Sequence, residues 1–423
     1  MVLRQRVLDE IASARQELVE LTQALIRVPT VNPPGQHYRE CAELIGERMR
    51  RYGMQVELLV ADDHPDHSER YPRVNVLGRV DGNARRPCLH FNGHLDVVPA
   101  GTGWSVGPFD AVERDGKIYG RGSADMKAGI AAALVAVACL RRAGVELAGS
   151  LEVSATVDEE SGGFAGVEWM CKRGLLGSAR TDFVIIPEPL NVDRICIGHR
   201  GVYWFRVAAR GAVAHGSMPF LGVSAIEHLA TLVERMRSEL LPRIAARITA
   251  MPVVPEAARR ATLNVNSIVG GQAGEFPQTA CVAEHAEAIF DRRFLHEETF
   301  DGVKAEIREL LTELTREEPR RRYELEDLMV VHPVLAPRDA PLVRALSSDV
   351  EAVLGRAPSL CASPGTYDHK HVARVAGVEQ CVAYGPGILD LAHQIDEYVE
   401  IDDLVRATQV LALSAMRLVA ATD

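Results

Sequence analysis

Cys88-Leu89-His90-Phe91-Asn92, followed directly by Gly93-His94-Leu95-Asp96, is an apolar, strand-like run that ends on a histidine and an acid. The pattern recurs along the chain. Residues 151–157 lead into Asp158-Glu159-Glu160, residues 183–187 into Glu188, and residues 381–384 precede His393. In an open α/β sheet, ligands bind beyond the carboxyl ends of the strands, so residues set there can converge on one crevice. With Asp125 added, three carboxylates and two imidazoles would meet there. That set is a cage for two divalent cations, and it points to a metallohydrolase.

Composition narrows the alternatives. A chain of 423 residues with 47% hydrophobic and 25% charged residues has room for two or three domains with a large core. A net charge of −11 argues against nucleic acid or an anionic membrane as the main partner. The eight cysteines form no Cys-x-x-Cys pair and mostly lie in apolar runs, which suggests reduced thiols in the cytoplasm. Residues 1–27 carry apolar positions at helical spacing among charges, so they read as an amphipathic helix and not as a signal peptide. The longest apolar stretch, 128–140, is too short to span a bilayer.

Along the chain, helical patterns at 39–52 and 124–143 alternate with strand candidates at 56–60, 74–80 and 88–92, the grammar of an α/β fold with a mainly parallel sheet. A Gly/Pro-rich loop between Asp96 and Asp125 is long enough to cover a site. After Gly198 the pattern changes to strand 202–209, helix 224–240, strands 263–269 and 281–290, helix 299–314 and strand 323–329. This β-α-β-β-α-β order is that of a ferredoxin-like module. The expected domains are therefore 1–197, an inserted 198–331, and 332–423, which completes the first.

Each motif has a functional and a plainer reading. His94 and Asp96 share a face of an extended segment, so Asp96 can accept the ring N–H of a metal-ligating His94. Asp125 is either a bridging carboxylate or an ordinary residue of a helix N-terminus. The acids 158–160 could be solvated, but a strand end bearing two adjacent glutamates can supply a metal ligand and a general base side by side. Glu188 sits between two prolines that stiffen its turn, and Glu397 can orient the ring of His393. Three carboxylates leave two divalent cations one positive charge in excess, enough for one hydroxide. Histidine with carboxylate suits Zn, Co or Mn better than Ca or Mg.

These pieces in this order resemble the M20 family of metallo-amidohydrolases, in particular its acetylornithine deacetylase / succinyl-diaminopimelate desuccinylase branch. The resemblance rests on Gly93–Pro99, Gly120-Arg121-Gly122-Ser123-Ala124-Asp125-Met126-Lys127, Asp158-Glu159-Glu160, Pro187-Glu188-Pro189 and Tyr384-Gly385-Pro386-Gly387 leading to His393, and it covers nearly the whole chain. It implies a zinc-peptidase-like catalytic domain with a mostly parallel mixed sheet, interrupted by an α+β lid through which two copies dimerise. Two divalent ions are implied, Zn first with Co or Mn as alternatives. His94 and Glu188 would bind one, Glu160 and His393 the other, with Asp125 bridging. Glu159 would be the general base and Asp96 the partner of His94. In the lid, His215 would stabilise the oxyanion across the dimer. Arg293 would grip a substrate carboxylate, unless it pairs with Asp291.

The chain departs from the family pattern in two places. The stretch 270–277 lacks an asparagine that the family carries. The small-residue loop reads Ser363-Pro364-Gly365-Thr366, with Gly365 and Thr366 as substrate contacts, and Tyr367-Asp368-His369-Lys370-His371 follows it. That cluster could recognise an anionic or aromatic substrate, or be a surface feature. The expected activity is hydrolysis of the C–N bond of a small carboxylate-bearing amide such as an N-acyl amino acid, by metal-bound hydroxide with Glu159 as base. The alternatives are a dipeptidase or carboxypeptidase, removal of an amine from an aromatic acid, and a catalytically silent metal-binding or carrier protein. Nucleic acid and membrane are not expected partners.

Overall fold

The computed structural model describes residues 2–271 and 280–421. The stretch 270–277 thus lies outside the described residues beyond Gly271. The chain divides into two compact units, one of Met1–Gly198, Ala336–Cys361 and Tyr367–Asp423, the other of His199–Leu335 and Ala362–Thr366. Among the described residues no helix is long and apolar enough to cross a membrane.

The first unit is built on a mixed sheet in the order Gln55–Val60, Val74–Asp81, Ser150–Thr156, Cys88–His94, Phe183–Ile186, Cys381–Ala383, Arg194–His199. The four strands from Ser150–Thr156 to Cys381–Ala383 are mutually parallel, and their outer neighbours run antiparallel to them. Strands Cys88–His94 and Ser150–Thr156 are buried at every position. Parallel strands covered on both faces are read in sequence as unbroken runs, which is how these four stand out. Helix Lys127–Arg142 is buried from Lys127 to Leu140 and packs beside Cys88–His94 and the C-terminal helix Ile401–Val419. The helical pattern of residues 1–27 is two helices, Val2–Ser13 and Arg15–Ile26, interrupted at Ala14.

Close approach of the backbone explains two glycines near the site. A Cβ on Gly129 would lie 2.0 Å from the Pro187 carbonyl oxygen, and one on Gly385 2.3 Å from the same atom. Only glycine lets the helix and the 385 turn close on the strand end that carries Glu188.

The second unit has one antiparallel sheet, ordered Thr262–Gly271, His285–Phe294, Gly201–Arg210, Arg322–Val331, with helices Ala225–Arg235 and Phe300–Glu317 between its strands in sequence. Numbered along the chain, the strands lie in the order 2-3-1-4, the ferredoxin-like arrangement. Ser224 and Thr299 cap the two helices through their hydroxyls. One face of the sheet packs Tyr203, Phe205, Val207 and Phe290 against Leu229, Leu232, Ile307 and Leu310. The third strand begins at His285, four residues later than the apolar run at Cys281 suggests. Cys281 forms only an isolated bridge with His215.

Candidate metal centre

The ends of the parallel strands bring the acids and histidines of the first unit together. Strand Cys88–His94 delivers His94, which is 1% exposed. Its Nε2 lies 3.1 Å from Asp125 Oδ1 and 3.8 Å from Glu188 Oε1. His393 Nε2 lies 3.4 Å from Asp125 Oδ2 and 3.1 Å from Glu160 Oε2. The two carboxylate oxygens of Asp125 therefore face different imidazoles. His94, Asp125 and Glu160 each offer a ligand atom within 4.8 Å of the others and could hold a cation. His393, half-exposed, stands at the open side of the group. Both His393 and Asp158 adopt left-handed backbone, φ 64° and 63°, a conformation few non-glycine residues take.

The electrostatics are those of anions crowded together. Burial pushes the Glu160 and Glu188 carboxyls above the usual range, and the charge of Asp125 adds to the rise. Asp125 is held low despite its burial, by hydrogen bonds from His393 and His94. Burial would lower the His94 imidazole, but Asp125 and Asp96 beside it carry it well above its ordinary value. Hydrogen bonds with Asp125 and Glu160 push His393 up to about 10. Three carboxylates with nitrogen donors between them, short of positive charge, fit a divalent cation.

Asp96 lies beside His94, whereas Glu397 is placed differently from expectation. His94 Nδ1 is 3.0 Å from the backbone carbonyl of Asp96 and 3.6 Å from its carboxylate. The Asp96 carboxylate also accepts the backbone N–H groups of Glu159 and Glu160, both at 3.2 Å, and the Asn32 amide at 2.9 Å. It therefore fixes the turn that presents the two glutamates. Glu397 does not orient His393. Its carboxylate accepts the N–H groups of Ala124 and Asp125 at 2.8 and 3.0 Å and pairs with Arg121 at 2.6 Å. Arg121 in turn donates to the carbonyls of His393 and Gln394. Asp158, first of the acidic triplet, is tied to Tyr38 and Arg73 at 2.8 Å each.

Sequence reasoning gave no role to Asn32 or Arg121, and it noted Lys370 only as part of its cluster. Lys370 Nζ lies 3.3 Å from Glu159 Oε1. The residues around it, Tyr367 to His371, are all buried, which removes the surface-feature alternative for this cluster. Burial pushes the His369 and His371 imidazoles down to about 3. Such groups stabilise the fold fully above about pH 6.5, and the contribution is lost as pH falls toward 3, because the unfolded chain takes up the protons. The melting temperature should therefore fall steadily between about pH 7 and pH 4. His371→Gln should flatten that slope, and a slope unchanged by the substitution would show that His371 does not set it.

In the second unit, His215 is exposed, and its Nδ1 accepts from the Ser217 N–H at 3.1 Å and lies 2.8 Å from the Ser217 hydroxyl. Arg293 pairs with Asp291 through two N–H groups at 2.8 and 2.9 Å, the plainer of its two readings. Gly365 and Thr366 lie in the turn after strand Ser359–Ser363, where the Gly365 N–H donates to the Ser363 hydroxyl.

Comparison with known proteins identifies the family. Residues 90–417 match the sequence profile of peptidase family M20/M25/M40. Over 404 residues the chain is 30% identical to a succinyl-diaminopimelate desuccinylase of Methylobacterium radiotolerans, covering 93% of this chain and 94% of that protein. A protein of the same name from Cupriavidus necator is 30% identical over 391 residues, 90% and 94% of the two chains. The solved structure of a dipeptidase of Saccharomyces cerevisiae aligns with a TM-score of 0.77 at 16% identity, over 98% of both chains. An M20 family metallo-carboxypeptidase of Sulfolobus solfataricus aligns at 0.74 and 19% identity, over 95% of this chain and 99% of that one. At such identities the two structures speak for the fold. With the family profile spanning most of its length and these relatives matching it nearly end to end, the chain belongs to peptidase family M20/M25/M40 and is a metal-dependent hydrolase of amide bonds.

Proposed function

We propose that the enzyme removes the acyl group from a small N-acyl amino acid or a similar amide bearing a carboxylate. The observation that carries this reading is Asp125, whose two oxygens face His94 and His393 separately, with Glu188 beside the first and Glu160 beside the second. His94 and Glu188 would hold one divalent ion, His393 and Glu160 a second, and Asp125 would serve both. Zinc suits the donor set, with cobalt or manganese as substitutes. When bound, such ions polarise a carbonyl and lower the pKa of water.

Glu159 takes the proton from the attacking water and passes it to the leaving nitrogen. The carbonyl carbon gains an oxygen as the C–N bond breaks, so a carboxylate and an amine leave. The N–H contacts from the Glu159-Glu160 turn to Asp96 hold the base next to the ligand. From the family resemblance, the oxyanion contact is assigned to His215 and further substrate contacts to Gly365, Thr366 and Arg293, which would exchange its pairing with Asp291 for a substrate carboxylate, in a homodimer formed through the second unit. A cytoplasmic location fits the eight free thiols.

The test is hydrolysis by the Zn-, Co- or Mn-loaded protein of N-acetyl, N-succinyl and N-formyl amino acids, dipeptides and amino-substituted aromatic acids. Cleavage of one acylated amino acid supports the proposal. Activity confined to dipeptides or to the aromatic amines overturns the substrate class and keeps the site.

A further inference from the structure

The segment Tyr367–His371 holds a lysine in an unusual place. The two imidazoles of the segment are neutral near pH 7, as burial dictates. Asp368 is 1% exposed and accepts the Asn92 amide, and Lys370, itself 6% exposed, is the remaining basic side chain of the segment. Its ion pair among the described residues is with Glu159. Burying an ammonium on a flexible four-carbon stem costs both desolvation and side-chain entropy. A surface position would serve stability better, so the location asks for another reason.

We propose that Lys370 is the positioning residue of the general base: it holds Oε1 of Glu159 and thereby sets where the second carboxylate oxygen points. A base must meet the proton it abstracts within hydrogen-bond reach, and a carboxylate free to rotate does so only part of the time. Lys370 can act as a fixed anchor because the turn that carries it is itself anchored. Its N–H donates to the Tyr367 carbonyl at 3.1 Å. The adjoining Asp368 accepts the Asn92 amide at 2.8 Å, and Asn92 accepts the Ser154 hydroxyl at 2.8 Å. The Ser154 oxygen lies 2.7 Å from His90 Nε2, whose Nδ1 is 3.0 Å from Glu152, and Glu152 accepts from Arg79 at 3.0 Å.

These contacts form one unbroken polar chain through the sheet. His90 and Asn92 share a face of strand Cys88–His94, and Glu152 and Ser154 share the matching face of strand Ser150–Thr156, all fully buried. Two of the strands that deliver metal ligands thus also fix the turn that places Lys370 against Glu159. Satisfied buried networks of this kind rigidify what they touch.

The inference rests on the reading of Glu159 as base. Its test is steady-state kinetics of Lys370→Met and Lys370→Arg on the substrate that the panel identifies, with metal content and melting temperature measured beside them. Lys370→Met should lower kcat about 10- to 100-fold, with KM within about twofold and metal content unchanged. Lys370→Arg keeps a cation near the carboxylate and should recover much of the loss. In a Glu159→Asp background, where the carboxylate is already drawn back from its place, Lys370→Met should cost clearly less. If Lys370→Met does not fold, Lys370→Gln takes its place in the same comparisons. A raised KM with kcat retained would assign Lys370 to the substrate and overturn the proposal. So would an equal loss in both backgrounds, or no loss at all. Glu159→Gln separates the two levels: if it stays active the general-base reading itself fails, and if it is inactive while Lys370→Met is not, only this inference fails.

Discussion

Glu159→Gln is expected to lower turnover by about 10²- to 10⁴-fold while the metal content and the fold stay as they are. The substitution keeps the size and planarity of the side chain and removes its capacity to take a proton. The backbone of the turn keeps its contacts, because Asp96 grips residues 159 and 160 through their N–H groups. The amide oxygen of a glutamine can still accept from Lys370, although the ion pair is lost. The imidazole–carboxylate contacts of Asp125, Glu160 and Glu188 do not involve residue 159. KM should change little, since the loss falls on the step that moves the proton. Glu160→Gln, one residue on, should behave otherwise and lose metal, because it removes a carboxylate that faces His393. Measuring turnover beside metal content for both variants tells a base from a ligand. Loss of metal from Glu159→Gln, or unimpaired turnover, would defeat the assignment.

The sequence places these two neighbours at a strand end, and the family resemblance assigns each its role. A run such as Leu89-His90-Phe91 that ends in His94, or Val153-Ser154-Ala155 that ends in adjacent glutamates, joins two signals that seldom coincide. Continuous burial says the strand is interior, and charge at its end says something must receive that charge. The four runs found this way are the four parallel strands at the middle of the sheet. In the second unit, strand His285–Phe294 alternates half-buried and buried positions from end to end, the period-two pattern of a strand.

What escaped the sequence has a common physical character. Arg121 and Glu397 are 276 positions apart, and no periodicity joins them. Asn32 reaches Asp96 across 64 positions from a proline-rich turn. Glu397 was within reach of His393 in sequence, but its oxygens went to the unsatisfied N–H groups of Ala124 and Asp125, which precede helix Lys127–Arg142. The cluster at His369-Lys370-His371 reads as basic because sequence assigns charge without solvent. Once burial strips both imidazoles of their protons, one cation is left, and its partner is a glutamate 211 positions earlier. Burial of charged groups is a property of the assembled fold, and local pattern carries almost no trace of it.

Glu397→Ala should be the most damaging single change outside the ligands, costing about 3–5 kcal/mol of stability and the metal site with it. Arg121 is 2% exposed and Glu397 fully buried, so removing the carboxylate leaves a guanidinium charge uncompensated in the interior. It also strips the N–H groups of Ala124 and Asp125 of their acceptor and frees the loop whose carbonyls, at His393 and Gln394, Arg121 holds. The pair is thus tied at one end to the backbone of Asp125 and at the other to that of His393. Stability and alignment can be told apart with a double substitution. Arg121→Met with Glu397→Leu removes both charges together and replaces them with apolar bulk, which often restores stability lost by breaking a buried pair. The double variant should melt well above Glu397→Ala, yet bind metal poorly and turn over slowly, because neither methionine nor leucine can hold Asp125 and His393 in register. Recovery of melting temperature, metal content and turnover together would show that the pair only fills space in the core. Recovery of the melting temperature alone would show that a buried ion pair, dispensable for folding, is kept because it joins the two loops that carry Asp125 and His393.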